Sequence, residues 1–173
     1  MPTIKAFRMD GLGNKFVIVD RRKDIVSITK EKIIHLGNLE SFHREIGFDQ
    51  IIFIEREIDK AFPITIFNSD GGEVSACGNG SRCVAYLLGK DLNTKEVKLK
   101  TNNRLLNAKI VGHLDVELAM GKPIFEWNKI PLSKNLDHSN ITLNIEDKVF
   151  ADGFCLNVGN PHIKGVGHIL ILR

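Results

Sequence analysis

The run Asn68-Ser-Asp-Gly-Gly-Glu-Val-Ser-Ala-Cys77-Gly-Asn-Gly-Ser-Arg-Cys83 decides how this chain is read. Before it, residues 62–67 are apolar and β-branched, the composition of a buried strand. After it, residues 81–88, closed by Gly89, read as the main core helix. The stretch between is a glycine-rich loop that delivers one thiol to a helix N-terminus. Unpaired N–H groups and the helix dipole favour negative charge there, so the position lowers a thiol's pKa and receives a carboxylate. Gly78 and Gly80 would let the backbone approach a ligand without a Cβ in the way.

Working outward, residues 4–9 and 16–20 read as strands joined by the turn Asp10-Gly-Leu-Gly-Asn14. Residues 29–36 form a short helix with Thr29 as N-cap and Gly37 just past its end, and a second helical stretch is expected over 39–45. Residues 50–54 are a further buried strand, and 97–100, 105–111 and 114–118 alternate apolar and polar side chains as an antiparallel meander with one wet face. Composition shifts at Met120-Gly-Lys-Pro123, so the expected organisation is an N-terminal lobe over 1–119 and the start of a second lobe over 120–173, with strands at 141–145 and 154–158. A lobe that short buries little surface by itself. One internal echo, strand then Gly-Asn then continuation, occurs at 7–16 and again at 154–162, as in a fold of two similar lobes.

Composition narrows the function class. Twenty-four basic and 21 acidic residues are dispersed along the chain for a net charge of +3, without a basic stripe or interleaved aromatics, so no nucleic-acid partner is expected. No apolar run approaches the ~20 residues of a membrane span, and the N-terminus lacks the pattern of a signal peptide, so a cytoplasmic protein with no membrane partner is expected. Three cysteines in neither paired nor Cys-x-x-Cys spacing predict reduced thiols and no metal site.

Cys77 is thus the candidate thiolate base or nucleophile, and the N–H groups of Gly78 and Asn79 are candidate carboxylate donors. Cys83, inside the helix, and Cys155, inside an apolar strand, read as packing residues. His162 follows Asn160-Pro161, a restrained turn, and is the candidate proton acceptor. Asn14, Gln50 and Asn68 each end a strand-like run; neutral amides of this kind bind both the ammonium and the carboxylate of an amino acid. The run Gly11-Leu-Gly-Asn-Lys15 lacks the pattern of a nucleotide-binding loop.

Taken in order, these residues resemble diaminopimelate epimerase. The resemblance rests on residues 7–20, Ile46-Gly-Phe-Asp-Gln50, Phe67-Asn-Ser-Asp-Gly71, Cys77-Gly-Asn-Gly-Ser-Arg-Cys83, residues 116–123 and Asn157-Val-Gly-Asn-Pro-His162. It implies an α+β fold of two similar lobes, each a mixed sheet wrapped against a central helix. The implied activity is a cofactor-independent interconversion of LL- and meso-diaminopimelate in lysine and peptidoglycan synthesis. By motif match Cys77 would be one of two catalytic cysteines and His162 its proton acceptor. Asn14, Gln50, Asn68 and Asn160 would contact substrate, with Gly78 and Asn79 on its α-carboxylate.

Asp10, Lys15 and Glu45 depart from the family's usual residues. After Ile163 the resemblance stops, and the tail 164–173 reads as an out-of-frame or cut end. The family's second cysteine, a Glu-Arg pair and a further Asn find no match, so the chain alone is expected to be inactive, its partner a homodimer mate or a complementing fragment. The alternatives are a proline epimerase or phenazine-pathway isomerase of the same fold group, a non-catalytic remnant or binding module, and a thiol hydrolase built on Cys77 and His162.

Overall fold

A computed structural model describes residues 5–24, 26–41, 44–45, 47–145, 148–165 and 168–171. The chain divides into two compact units, Met1–Ala119 and Met120–Arg173. Ile4, where the first strand was expected to begin, lies outside the described residues.

The first unit contains β1 (Ala6–Gly11), β2 (Asn14–Asp20), α1 (Lys30–Gly37), β3 (Glu40–Ser41), β4 (Arg44–Glu45), β5 (Gln50–Ile54), β6 (Phe62–Asn68), β7 (Glu73–Val74), α2 (Gly78–Asp91), β8 (Glu96–Lys100), β9 (Leu105–Gly112) and β10 (Asp115–Ala119). Its mixed sheet runs β1-β2-β5-β6-β8-β9-β10, with β7 paired to β6. The pairs β2–β5 and β6–β8 are parallel and the rest antiparallel. Helix α2 touches six of these strands, from β1, β2 and β5 to β8, β9 and β10, so the sheet curves around it.

Side-chain alternation explains this arrangement. Along β2, Phe16 and Ile18 point to the α2 side, where both are 0% exposed, while Val17 and Val19 face the cluster that holds Ile33 of α1, Phe48, Ile51 and Phe53. Fully burying such a side chain contributes about 1.5–3 kcal/mol, and a sheet covered on both faces collects that from alternate residues. On α2, Ser81, Val84, Ala85 and Leu88 are buried at helical spacing. At the far end of the helix, Arg22 ties β2 to α2: its guanidinium donates to Asp20 at 2.7 Å and to Asp91, the last helical residue, at 2.7 Å.

Three local expectations need correction. Gly37 is the last residue of α1, with Asn38 as its C-cap, and does not lie past the helix end. Helix α2 starts at Gly78 and runs to Asp91, and Gly89 lies inside it because a Cβ there would meet Ile110 Cδ1 at 2.6 Å. Within the stretch 39–45 expected to be helical, Glu40–Ser41 and Arg44–Glu45 pair as two short antiparallel strands, and residues 42–43 lie outside the described residues. So few residues gain too little from helical hydrogen bonds to offset nucleation. The meander of β8, β9 and β10 is antiparallel as read, with the buried positions of β8 and β9 alternating with exposed ones.

The second unit contains one turn of 3-10 helix (Trp127–Lys129), β11 (Ile141–Ile145), β12 (Lys148–Asn157), β13 (Pro161–Gly165) and β14 (His168–Ile171), the strands forming one antiparallel sheet in that order. Ile130, Ile141, Cys155 and Ile163 form its core, with Leu132 and Leu143 packed against them. Of the tail, His168–Ile171 pairs with β13 as β14. The internal echo corresponds to two hairpins, β1–β2 and β12–β13.

Candidate functional site

Strand register builds the first half of the site. Phe16 pairs with Gln50 and Gln50 with Asn68, so the α2-facing rows end together: Phe16 and Ile18 below Asn14, Ile52 and Ile54 below Gln50, Ile64 and Ile66 below Asn68. Continuing the period of two past the apolar rows thus puts three amides on the α2 side at one end of the sheet. Helix α2 begins at that end. A Cβ on Gly80 would lie 2.5 Å from Ile52 Cδ1 and 3.2 Å from Phe16 Cε1. Gly80 therefore serves the approach of helix to sheet, and not the approach of a ligand. Gly47 plays a similar part behind the site, where a Cβ would collide with the Gly37 carbonyl oxygen at the end of α1.

Cys77 is the N-cap of α2. Its backbone is extended and its sulfur accepts from the Gly80 N–H at 3.4 Å, the role a serine or aspartate oxygen usually takes. The Asn79 N–H also favours negative charge on the sulfur, as does the Arg82 guanidinium. Burial outweighs all three and pushes the thiol above its ordinary value. The sequence expectation of a lowered pKa is corrected on that ground: the helix terminus acts as foreseen, but desolvation is larger. Cys83 and Cys155, 6% and 0% exposed, are raised by burial as well and pack in the cores of their units.

The amides are interlocked. Gln50 Nε2 donates to Asn68 Oδ1 at 2.9 Å, which leaves the buried Gln50 Oε1 without a partner. Asn79 Nδ2 donates to Asn14 Oδ1 at 3.0 Å, Asn14 Nδ2 reaches Asp49 Oδ2 at 3.5 Å, and Arg82 donates to Asn79 Oδ1. Asp49 Oδ2 also accepts from the Lys15 N–H at 2.7 Å. Asp49 and Arg82 were not singled out in the sequence. Their signal was available, since each is a charged residue within three positions of a candidate amide in a quoted motif. The departures Asp10 and Lys15 sit opposite each other across the β1–β2 hairpin, so the two changes place opposite charges in register.

The other candidates lie in the second unit. His162 pairs with Leu156 across β12–β13, and Cys155 pairs with Ile163, so His162 and Cys155 point to opposite faces of that sheet. His162 Nε2 lies 3.0 Å from Asn160 Oδ1. Burial lowers the imidazole's pKa, which keeps the ring neutral and able to accept a proton near pH 7. Among the described residues, no helix is long and apolar enough to cross a membrane.

The family model for diaminopimelate epimerase matches residues 6–126. The diaminopimelate epimerase of Pelagibacter ubique is 45% identical over 163 residues, covering 92% of this chain and 58% of that protein. Among solved structures, a predicted epimerase from Pseudomonas aeruginosa superposes with a TM-score of 0.59 at 14% identity, covering 99% of this chain and 64% of the other. A hydroxyproline epimerase from Agrobacterium vitis, with bound trans-4-hydroxy-L-proline, gives 0.58 at 14% identity, covering 91% and 50%. At such identities the likeness shows the fold alone, an α+β lobe of this epimerase-like type. The chain spans 54–58% of the length of the curated relatives it matches first. By the family match and the 45% identity to its Pelagibacter relative, the chain belongs to the diaminopimelate epimerase family.

Proposed function

We propose that this chain supplies one half of a cofactor-independent, two-base epimerase that interconverts LL- and meso-diaminopimelate. The observation that carries the reading is Cys77 as the N-cap of α2, with Asn14 and Asn79 hydrogen-bonded at the same end of the sheet. Inverting a stereocentre means removing a proton from one face of the α-carbon and delivering one to the other. Cys77, held neutral by burial, starts as the proton donor. In the reverse direction, where Cys77 must act as the thiolate base, His162 of the second unit is assigned as the acceptor of its thiol proton. The Gly78 and Asn79 N–H groups, at the positive end of α2, would take the α-carboxylate and steady the carbanion-like state. Asn14, Gln50, Asn68 and Asn160 would take the remaining polar groups of the amino acid, with the unpaired Gln50 Oε1 as an acceptor for an ammonium.

The opposite face needs a second acid/base group. Cys83 and Cys155, 6% and 0% exposed in their cores, do not supply it. In this reading it comes from a polypeptide segment outside these 173 residues, in the same chain or in a complementing partner. The test is incubation with LL-diaminopimelate in deuterated water. The 173-residue chain is expected to give no α-deuteration. Adding a polypeptide with the family's second lobe is expected to give deuterated meso product, and Cys77→Ala to abolish it. Deuteration with epimer formation by the chain alone overturns the half-site reading. Selective binding of proline over diaminopimelate overturns the substrate.

A further inference from the structure

Four side chains at the site form a hydrogen-bond series with charge at both ends: Arg82 to Asn79, Asn79 to Asn14 at 3.0 Å, and Asn14 to Asp49 at 3.5 Å. An asparagine amide by itself can present oxygen or nitrogen on either side, and the two orientations are nearly isosteric. Here the ends remove that freedom. A guanidinium only donates, so Asn79 must turn its oxygen to Arg82 and its nitrogen to Asn14. An ionised carboxylate only accepts, so Asn14 must turn its nitrogen to Asp49 and its oxygen to Asn79. Every bond in the series then runs in one direction, the arrangement in which successive hydrogen bonds polarise one another.

We propose that Arg82 and Asp49 are positioning residues whose opposite charges set the direction of this relay and so fix which edge of the Asn14 and Asn79 amides faces the substrate site. Asp49 is anchored for the purpose, because its Oδ2 accepts from the Lys15 N–H at 2.7 Å and its own N–H donates to the Lys15 carbonyl at 2.9 Å. After the relay bonds are made, each amide keeps one N–H hydrogen and one oxygen lone pair in a set arrangement. Reversing an amide exchanges donor for acceptor, and a site built to hydrogen-bond its ligand rejects the mismatched arrangement. Arg82 has a second effect through space, since it favours the Cys77 thiolate. The neighbouring Cys83 thiol on α2 feels the same guanidinium, together with Cys77 and with Asp10 on β1.

The test reads the amides directly. The 15N-labelled full chain gives side-chain amide resonances for Asn14 and Asn79, assigned by their loss in Asn14→Asp and Asn79→Asp. Arg82→Met is expected to shift both pairs, including that of Asn14, with which Arg82 shares no hydrogen bond in the series. Asp49→Asn is expected to shift both, reaching Asn79 from the other end. Arg82→Lys, still only a donor, is expected to restore the Asn14 shifts. A change confined to the nearer amide, or no change, overturns the proposal. If Arg82→Met fails to fold, the nearly isosteric Asp49→Asn decides alone. Only the identity of the ligand rests on the proposed function, and a titration with diaminopimelate separates the two. Wild type that binds while Asp49→Asn binds roughly tenfold more weakly supports the relay, and equal binding overturns it. Wild type that shows no response means that this half of the site does not hold diaminopimelate by itself, and the amide shifts then decide the relay by themselves.

Discussion

Gly80→Ala tests whether the start of α2 is held against the sheet by contact. The new Cβ would lie 2.5 Å from Ile52 Cδ1 and 3.2 Å from Phe16 Cε1, where carbon atoms prefer about 3.5–4.0 Å. Ile52 and Phe16 are both 0% exposed, so neither has free space to move into. Replacing glycine by alanine inside a helix gains about 1 kcal/mol, whereas an extra carbon in a close-packed core costs about 1–3 kcal/mol. With no room on either side the cost falls in the upper part of that range, about 2–3 kcal/mol, so the net expectation is a loss of about 1–2 kcal/mol, with the first turn of α2, and Cys77 with it, pushed outward by roughly an ångström. Ile52→Val removes the clashing Cδ1 and by itself costs about 0.5–1.5 kcal/mol. In the double variant the valine makes room for the alanine, so the two losses should fall short of additive by about 1 kcal/mol. Urea unfolding followed by circular dichroism measures all four corners of the cycle. A Gly80→Ala variant as stable as wild type, or additivity within about 0.3 kcal/mol, would refute the packing argument.

Other substitutions address charge and the thiols. Arg22→Met leaves Asp20 and Asp91 without their shared cation, and since Asp91 is 43% exposed the expected loss at pH 7 is only about 1–2 kcal/mol. The hydrogen bond from Arg22 holds both carboxyls below their ordinary value, so their contribution is present at neutral pH and lost as pH falls through the folded values. Acid unfolding curves of wild type and Arg22→Met should therefore converge below about pH 4, and a constant gap would contradict the pairing. Burial raises all three thiols, so the unfolded chain ionises first and stability falls as pH rises beyond about 8.5. Urea midpoints measured from pH 7 to pH 10 check this, and a rising midpoint would reverse the sign. Cys77→Ser should keep or gain up to about 1 kcal/mol, because a hydroxyl caps a helix better than a thiol, while removing the first site alkylated by iodoacetamide; a clear loss of stability would mean that the sulfur is there for packing.

The main elements of the first unit were legible because they depend on periodicity. Residues 50–54 and 62–68 are apolar enough to be buried strands whatever surrounds them, and β8 to β10 alternate cleanly. The site was legible as a set of residue types, since Cys77 between glycines and amides at strand ends each have a chemical use. What the sequence did not reveal depends on register and burial. Nothing local in Asn14, Gln50 and Asn68 says that they end three adjacent rows on one face; that follows from which residues pair. The thiol's raised pKa followed from a desolvation that outweighs the helix N-terminus, a balance set by packing. The stretch 39–45 was misread because a short polar segment carries too weak a period to separate helix from strand.

The site and the core are products of one pattern. The rows of β2, β5 and β6 are apolar where they face α2 and become amide-bearing one step beyond the end of the helix. Gly80 then seats the helix low enough that its N-cap thiol and these amides share one edge of the unit. The coupling explains why the thiol is neutral. A cap close enough to the sheet to stand beside Asn14 and Asn79 is also close enough to be desolvated, so positioning the sulfur and raising its pKa are the same act. A second base does not follow from that geometry. Under the proposed epimerase reading, a thiol held in its acid form completes the inversion only when a group on the opposite face of the α-carbon takes the other proton.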